Sequence, residues 1–518
     1  MKRLLLFVLG LSLTACGGVR FKGEPIVVST QKPLETTPST SQKNEWAQLD
    51  LVQHQIPGMS VKRAYSELIL EKEGVEVIVA IIDSGVDIEH PELASNIWIN
   101  QDEIPDNQID DDQNGYVDDV YGWNFLGDSQ NENLEYIRLQ KKEDPGSDAF
   151  EVYEKKRQKE RNKYKSRLAN FLFLEDQIPQ SRQIIKDALG TETIDLDAAR
   201  NIRPMRPELS EAIAMMSYVE SVEITDAILK KAIKQYRDAL EYHHNPDFEG
   251  RSIVGDDPDN LNDRDYGDGR IQGPEGTDTD HGTHVSGVVA GKTVGVAKNV
   301  KLMAIRAVPN GDEYDKDIAL AIRYAVDNGA KVINASFGKS YSPHADWVHD
   351  AIRYAAANDV LLVHASGNDN ANVNPNNESN FPDDYDGGKE ISKNVITVGA
   401  SAWTFDKNLL AEFSNYGNIS VDVFAPGYKI YSATAGQGYD RFNGTSMAAP
   451  YVSGVAAVLR SFYPRYSAEK IKKIIIASGV PMYGELIVPS GEETYNPSFY
   501  SKSGKLVNLY NALLYASK

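Results

Sequence analysis

The chain has 518 residues, 41% of them hydrophobic, and its 75 acidic against 54 basic side chains leave a formal charge of −21. Such a length and apolar share suit one large α/β domain with an extra module, and the acidic balance speaks against a nucleic-acid partner or a general basic membrane patch. The single cysteine rules out a disulfide within one chain.

The first segment reads as a targeting signal. Lys2 and Arg3 precede a short apolar run at 4–13, too short to span a bilayer. Leu13-Thr14-Ala15-Cys16 resembles a bacterial lipobox. On that reading residues 1–15 are a signal peptide, and acyl chains on Cys16 hold the protein at the bacterial cell envelope, at the outer membrane. The alternative is an ordinary signal peptide with an incidental cysteine. Residues 16–45, rich in Gly, Pro, Ser, Thr, Gln and Lys, read as the lipidated cysteine and a flexible tether.

Residues 77–83, V-I-V-A-I-I-D, form a continuous apolar run that ends in Asp83. The pattern predicts a buried parallel strand with a carboxylate at its C-terminal tip, the edge where open α/β sheets place their ligands. Asp110, Asp112, Asn114, Tyr116 and Asp118 then follow at alternate positions around Gly115. Alternating oxygen side chains, a glycine turn and the Tyr116 carbonyl suit structural calcium, with Asp118 or Asp119 supplying the last carboxylate. Tyr121 stands where an EF-hand has Glu, and an acidic turn is the other reading. Asp256, Asp257, Asp259, Asp263 and Asp265 form a second acidic loop without clear ligand spacing.

The stretch at about 131–272 is helix-rich by pattern. Residues 153–168 are dense in Lys, Arg and Glu, and 171–189 and 208–244 carry apolar residues at spacings of three and four. Examples are Ile213, Met216, Tyr218, Ile224, Ile228 and Ala232. The basic run at 155–167 reads as a solvated helix face or as a contact for anionic lipid. Further on, D-H-G-T-H-V-S-G opens a helix at Asp280, with His281 at its start. A strand at 360–364 precedes Ala365-Ser366-Gly367-Asn368, where Asn368 on its own reads as a turn residue. N-G-T-S-M-A-A-P, from Asn443 to Pro450, places Ser446 at the mouth of an apolar helix, with Pro450 in about the first turn. Free N–H groups and the positive dipole end at such a place suit a developing oxyanion.

Five blocks in this order resemble the subtilisin-like serine proteases of the subtilase superfamily: IIDSGVDIEHPEL from Ile81, HGTHVSG from His281, VINASFG from Val332, ASGND from Ala365 and NGTSMAAP from Asn443. The resemblance covers most of 75–130 and 275–460. It implies a subtilisin-like α/β/α sandwich with a mainly parallel central sheet over 46–518, and a serine endopeptidase working through an acyl-enzyme. Asp83, His281 and Ser446 would be the triad and Asn368 the oxyanion side chain, with no cofactor needed for catalysis. His284 resembles the family's second, structural histidine.

Ser336, Phe337 and Gly338, with Ala365, Ser366 and Gly367, match the family's substrate-binding segments. Their small residues imply an open pocket for a sizeable apolar side chain, and extended peptide would pair with the 336–338 backbone. Phe381-Pro382 matches a segment with a cis bond. Partners would be protein or peptide substrates, with the membrane reached through lipid on Cys16 and the chain a monomer. A catalytically silent peptide-binding scaffold is the rival from another class. Two departures stand out. Little length is left for the usual prodomain, and 131–272 is an insertion between Asp83 and His281. That insertion reads as a bundle packed beside the active-site rim, a substrate-gating lid, a partner-binding module or a substitute for the prodomain.

Overall fold

Apolar runs rich in Val and Ile build the centre of the molecule, as suits strands covered on both faces. A computed structural model describes residues 19–30, 38–375, 377, 379–488, 491 and 493–518, so the signal segment and Cys16 lie outside the described residues. In chain order the main strands are β1 Val77–Asp83, β2 Gly122–Asn124, β3 Val300–Arg306, β4 Val332–Ala335, β5 Leu361–Ala365, β6 Val395–Ser401, β7 Val423–Pro426, β8 Ile430–Thr434, β9 Gly438–Phe442, β10 Val480–Pro481 and β11 Lys505–Leu506. Nine of them form one sheet in the order β10-β11-β7-β6-β5-β4-β1-β3-β2, while β8 and β9 make a separate hairpin. Every pairing in the large sheet is parallel except β10 with β11.

The register places the site. Asp83 is level with Arg306, Ile82 with Ala335, and Ala335 with His364. Residues just beyond these positions, including Ser84, Ser336 and Ser366, therefore leave the sheet at one edge.

The main helices are α1 Glu135–Lys142, α2 Asp148–Leu189, α3 Pro207–Ser221, α4 Asp226–Asp238, α5 Asp280–Ala290, α6 Asp315–Asp327, α7 Ala345–Ala357, α8 Thr445–Phe462, α9 Ala468–Ser478 and α10 Leu509–Ala516. Alternate side chains of β1 face two different cores. Val77, Val79 and Ile81 join α5 and α8 in one, and Ala80 and Ile82 join α6 and α7 in the other. This is the α/β/α sandwich expected from the sequence.

The stretch at 131–272 supplies α1 to α4, and α2 to α4 share a core of their own with Leu174, Ile178, Ile185, Leu209, Ile213, Met216, Leu229 and Ile233. The charge-dense stretch at 153–168 and the periodic stretch at 171–189 merge into the single 42-residue helix α2, which runs through Pro179. Pro179 and Glu175 are both exposed, so the carbonyl that loses its donor there can be hydrated. The basic run is partly structural, since Arg161 donates to the Leu240 and His244 carbonyls at 2.8 and 3.0 Å.

The second acidic loop fastens this module to the body. Asp256 pairs with Arg251 and Lys316, and Arg251 also reaches Asp317 at 2.6 Å, all of it buried. Removing one member of such a pair strands a buried charge, at a cost of about 3–5 kcal/mol.

The flexible tether expected at 16–45 needs correction where the chain is described. Phe21 and Ile26 are buried. The Phe21 ring lies edge-on to Phe462 at 5.3 Å, and the Ile26 N–H donates to Asn511 Oδ1 at 2.8 Å. Among the described residues, no helix is long and apolar enough to cross a membrane.

Candidate active site

Asp83 ends β1 and is 1% exposed. Its Oδ1 accepts the Ser84 N–H at 2.8 Å and the His281 Nδ1–H at 2.7 Å. His281 stands in the first turn of α5, and its side chain is 39% exposed. The helix can come this close because residue 282 is Gly, where a Cβ would lie 2.1 Å from the Gly85 carbonyl oxygen and 3.2 Å from Asp83 Cβ. Burial works against the imidazolium of His281, but the Asp83 carboxylate outweighs it and holds the pKa above the ordinary histidine value. His284, one turn on, donates from Nε2 to the Ile430 carbonyl at 2.9 Å, and burial pushes its pKa down to about 3. It is a neutral structural group.

Ser446 lies in the first turn of α8, whose other residues are all buried. Its hydroxyl donates to the Ser336 carbonyl at 3.1 Å, and the Ser336 hydroxyl donates back to the Ser446 carbonyl at 2.8 Å. Pro450 explains the second bond. It falls in the second turn, not the first as expected, and its missing N–H is the one that would otherwise bond Ser446. Ser336 fills the gap. Behind it, Asn334 Nδ2 donates to Ser336 Oγ at 2.9 Å, and Ser453 Oγ donates to Asn334 Oδ1 at 2.8 Å. This buried polar chain ties β4 to α8 beneath the serine. Asn334 and Ser453 were not singled out from the sequence, although Asn334 lies inside the VINASFG block.

Asn368 is exposed at the end of the loop after β5. Its Oδ1 accepts from the Thr445 N–H at 2.8 Å and the Thr445 hydroxyl at 3.1 Å, which leaves its amide hydrogens to donate beside the start of α8. Asn415, also unforeseen, clamps the same loop. It takes the Asp369 and Ala371 N–H groups on Oδ1 at 2.9 Å, and its Nδ2 donates to the Ser366 carbonyl at 2.9 Å.

The two predicted substrate segments, Ser336-Phe337-Gly338 and Ala365-Ser366-Gly367, follow or end the adjacent strands β4 and β5. His364 fixes the first by donating from Nε2 to the Phe337 carbonyl at 2.9 Å, and burial pushes its pKa down to about 4. The small residues are not all that shapes the space between them. Asn380 Nδ2 donates to the Ala365 carbonyl at 3.0 Å, and its Oδ1 lies 2.6 Å from where a Gly338 Cβ would be and 3.1 Å from that of Gly367. A polar side chain thus stands between the two walls. The Phe381–Pro382 bond beyond it is cis.

The acidic loop lies elsewhere. Asp110 and Asp112 both accept the Asn114 N–H at 3.0 Å. Asp118, with a left-handed φ of 54°, turns its carboxylate to the N–H groups of Asn107 and Gln108 at 3.1 and 2.9 Å. Glu103, Asp112 and Asp119 instead bring carboxylate oxygens within 4.8 Å of one another. Asn114 donates to Asp112 and Asp119 at 3.0 and 3.1 Å, and the Tyr116 ring packs on Trp123 and Tyr324. Burial pushes the Asp119 pKa up to about 6.

A family model described as "Subtilase family" matches residues 74–496. The chain is 36% identical over 283 residues to the thermophilic serine proteinase of Bacillus sp. (strain AK1), covering 53% of this chain and 60% of that protein. It is 37% identical over 228 residues to subtilisin-like protease 5 of Arthroderma gypseum, covering 42% and 50%. It thus spans between 50% and 60% of the length of these two relatives. A solved cold-adapted subtilisin-like serine proteinase is 27% identical, with 44% of this chain and 74% of that one covered at a TM-score of 0.36. The matched range of residues spans the positions of Asp83, His281, Asn368 and Ser446, and the chain belongs to the subtilase family.

Proposed function

We propose that this chain is a serine endopeptidase, held at the cell envelope by lipid on Cys16. The observation that carries the reading is the 2.7 Å bond from His281 to buried Asp83 at the sheet edge where Ser446 opens α8. With Nδ1–H given to Asp83, Nε2 is the basic nitrogen. In the proposed reaction Ser446 Oγ leaves the Ser336 carbonyl and attacks the scissile carbonyl while its proton passes to His281 Nε2. The tetrahedral oxygen is stabilised by the Asn368 amide and the Ser446 N–H. His281 then protonates the leaving amine, and water, deprotonated by the same nitrogen, releases the acid from Ser446. Extended substrate pairs with the 336–338 backbone.

Calcium is a second part of the proposal. Carboxylate oxygens are hard ligands, and a cation among Glu103, Asp112 and Asp119 would offset the burial of Asp119. The role of the lipid rests on the residues before Cys16 and on its being the only cysteine.

Four results are expected. Ser446→Ala abolishes hydrolysis of a chromogenic peptide, and Asn368→Ala lowers kcat by about a hundred-fold or more, the usual loss for one oxyanion donor. Both variants keep the circular dichroism of the unaltered chain, and full turnover in Ser446→Ala would refute the mechanism. Because only neutral imidazole accepts the proton and Asp83 favours the charged form, kcat/KM rises with pH through a midpoint above about 6.5. A midpoint below that value contradicts the Asp83–His281 coupling. Chelation lowers the melting temperature and added calcium restores it, since a ligand bound to the native state stabilises by mass action; equal melting temperatures would remove the cation. Finally, Cys16→Ser moves the protein from the membrane fraction of cells to the soluble fraction, and unchanged fractionation would reject the lipid anchor.

A further inference from the structure

The helical insertion holds two segments of the body that meet at the nucleophile. One is the segment that follows Gly338. Lys339 there is buried, and its ammonium donates to Glu135 of α1 at 2.7 Å and to the Glu313 carbonyl at 2.8 Å, with Asp315 at 2.9 Å. Glu135 also pairs with Arg138, whose guanidinium donates to the Asp312 carbonyl at 2.8 Å. Two residues after Lys339, Tyr341 meets α2. Lys156 donates to its hydroxyl at 3.4 Å, and the Tyr153 ring lies edge-on at 6.1 Å.

The other is the segment that runs into Ser446. Phe442 stacks on His284 of α5 at 4.4 Å and carries Lys231 of α4 over its ring at 4.4 Å. Lys429, whose N–H donates to Asn443 Oδ1 at 2.6 Å, faces Glu223 in the α3–α4 turn at 3.6 Å. The two gripped segments meet where Ser446 Oγ donates to the Ser336 carbonyl.

The helices have the length to join these points. α4 runs antiparallel to α2, with Tyr236 against Phe171 at 5.3 Å and Asp226 against Arg182 at 3.0 Å. Lys231 therefore lies level with the 171–182 part of α2, while the Tyr341 contact is at Lys156. That separation is at least fifteen residues of helix, about 22 Å, or about seven residues of extended substrate. The two ends differ in strength. Lys339 sits in a buried charge network, whereas Glu223 is 82% exposed and its ion pair holds weakly.

We propose that the insertion is a bridge along the catalytic cleft, fixed at Lys339 and latched at Phe442 and Lys429, so that Glu135, Lys231 and Glu223 determine specificity by the folding state of the substrate. An extended, unfolded polypeptide passes beneath the bridge, and a folded protein does not. This rests on the peptidase reading above.

The test is the double variant Lys231→Ala/Glu223→Ala in the full chain, assayed at alkaline pH on a chromogenic peptide and on a stable globular protein, both native and reduced and alkylated. The unaltered chain should cut the unfolded form about a hundred-fold faster than the native one. The double variant should narrow that ratio about ten-fold by cutting the native form faster, with the small peptide within about two-fold. An unchanged ratio, or three rates that move together, overturns the bridge. Hydrogen exchange needs no turnover and separates the two readings. In a Ser446→Ala background the double variant should exchange the 438–442 amides about five-fold faster. Unchanged exchange there overturns the latch whether or not the chain cleaves peptides, while absent peptide hydrolysis by the unaltered chain with faster exchange removes the peptidase reading alone.

Discussion

A carboxylate at the end of a buried strand is the constraint around which this molecule is arranged. Asp83 is cut off from water, and its charge is met at Oδ1 by one backbone N–H and one imidazole N–H. Burying an ionised group without partners is prohibitively costly, so the chain must deliver His281 to that spot. It does so with a helix that lacks a side chain at 282 and with a parallel register that brings Asp83, Ala335 and Ala365 out at one edge. The same pairing settles the state of His281: Nδ1 is fixed as donor, Nε2 is left basic, and the positive form is favoured.

The second constraint is the placing of α8. A helix whose first turn must present a serine while nearly every later residue is buried has little freedom to shift. Pro450 removes one of its internal bonds, and the hydroxyl of Ser336 replaces it from the neighbouring strand. Asn334 and Ser453 extend the link downward, so the nucleophile, the 336–338 segment and the sheet move as one body. Preorganisation of this kind is what a site needs if its donors are to face charge that develops only in the transition state. The insertion attaches to that body through buried charges that build it into the fold: Lys339 of the core pairs with Glu135 of the insertion, and Arg251 of the insertion pairs with Asp317 of the core.

Much of this was legible in the sequence, for local reasons. Asp83, His281 and Ser446 each sit at a strand end or a helix start, and such punctuation is visible in a few residues. The apolar run at 77–83 pointed to a buried parallel strand, the five family-like blocks implied the α/β/α sandwich, and the helices of the insertion followed from their periodicity. What was not legible depends on distant partners. Ser453 and Asn334 are 119 residues apart. Phe21 and Ile26, in a segment whose composition suggests a tether, find sites beside Phe462 and Asn511. The apolar stripe of α3 runs through Leu209, Ala212, Ile213, Met216 and Val219, which leaves Tyr218 and, on α4, Ile228 half exposed. In the acidic loop, alternation pointed to Asp118, but its left-handed backbone turns it to two amides, and Asp119 faces inward with Glu103 and Asp112. Asn380 shows the same limit, since nothing in the small residues around Gly338 and Gly367 reveals what stands between them.

The central claim is that Ser446 is a nucleophile made reactive by the Asp83–His281 pair. Labelling with a fluorophosphonate tests it directly, because the reagent forms a stable adduct only with an activated serine. The account predicts one adduct per chain, located on Ser446 by peptide mass spectrometry and lost in His281→Ala. An unlabelled chain, or an adduct on Ser446 that persists at the same rate without His281, would contradict it.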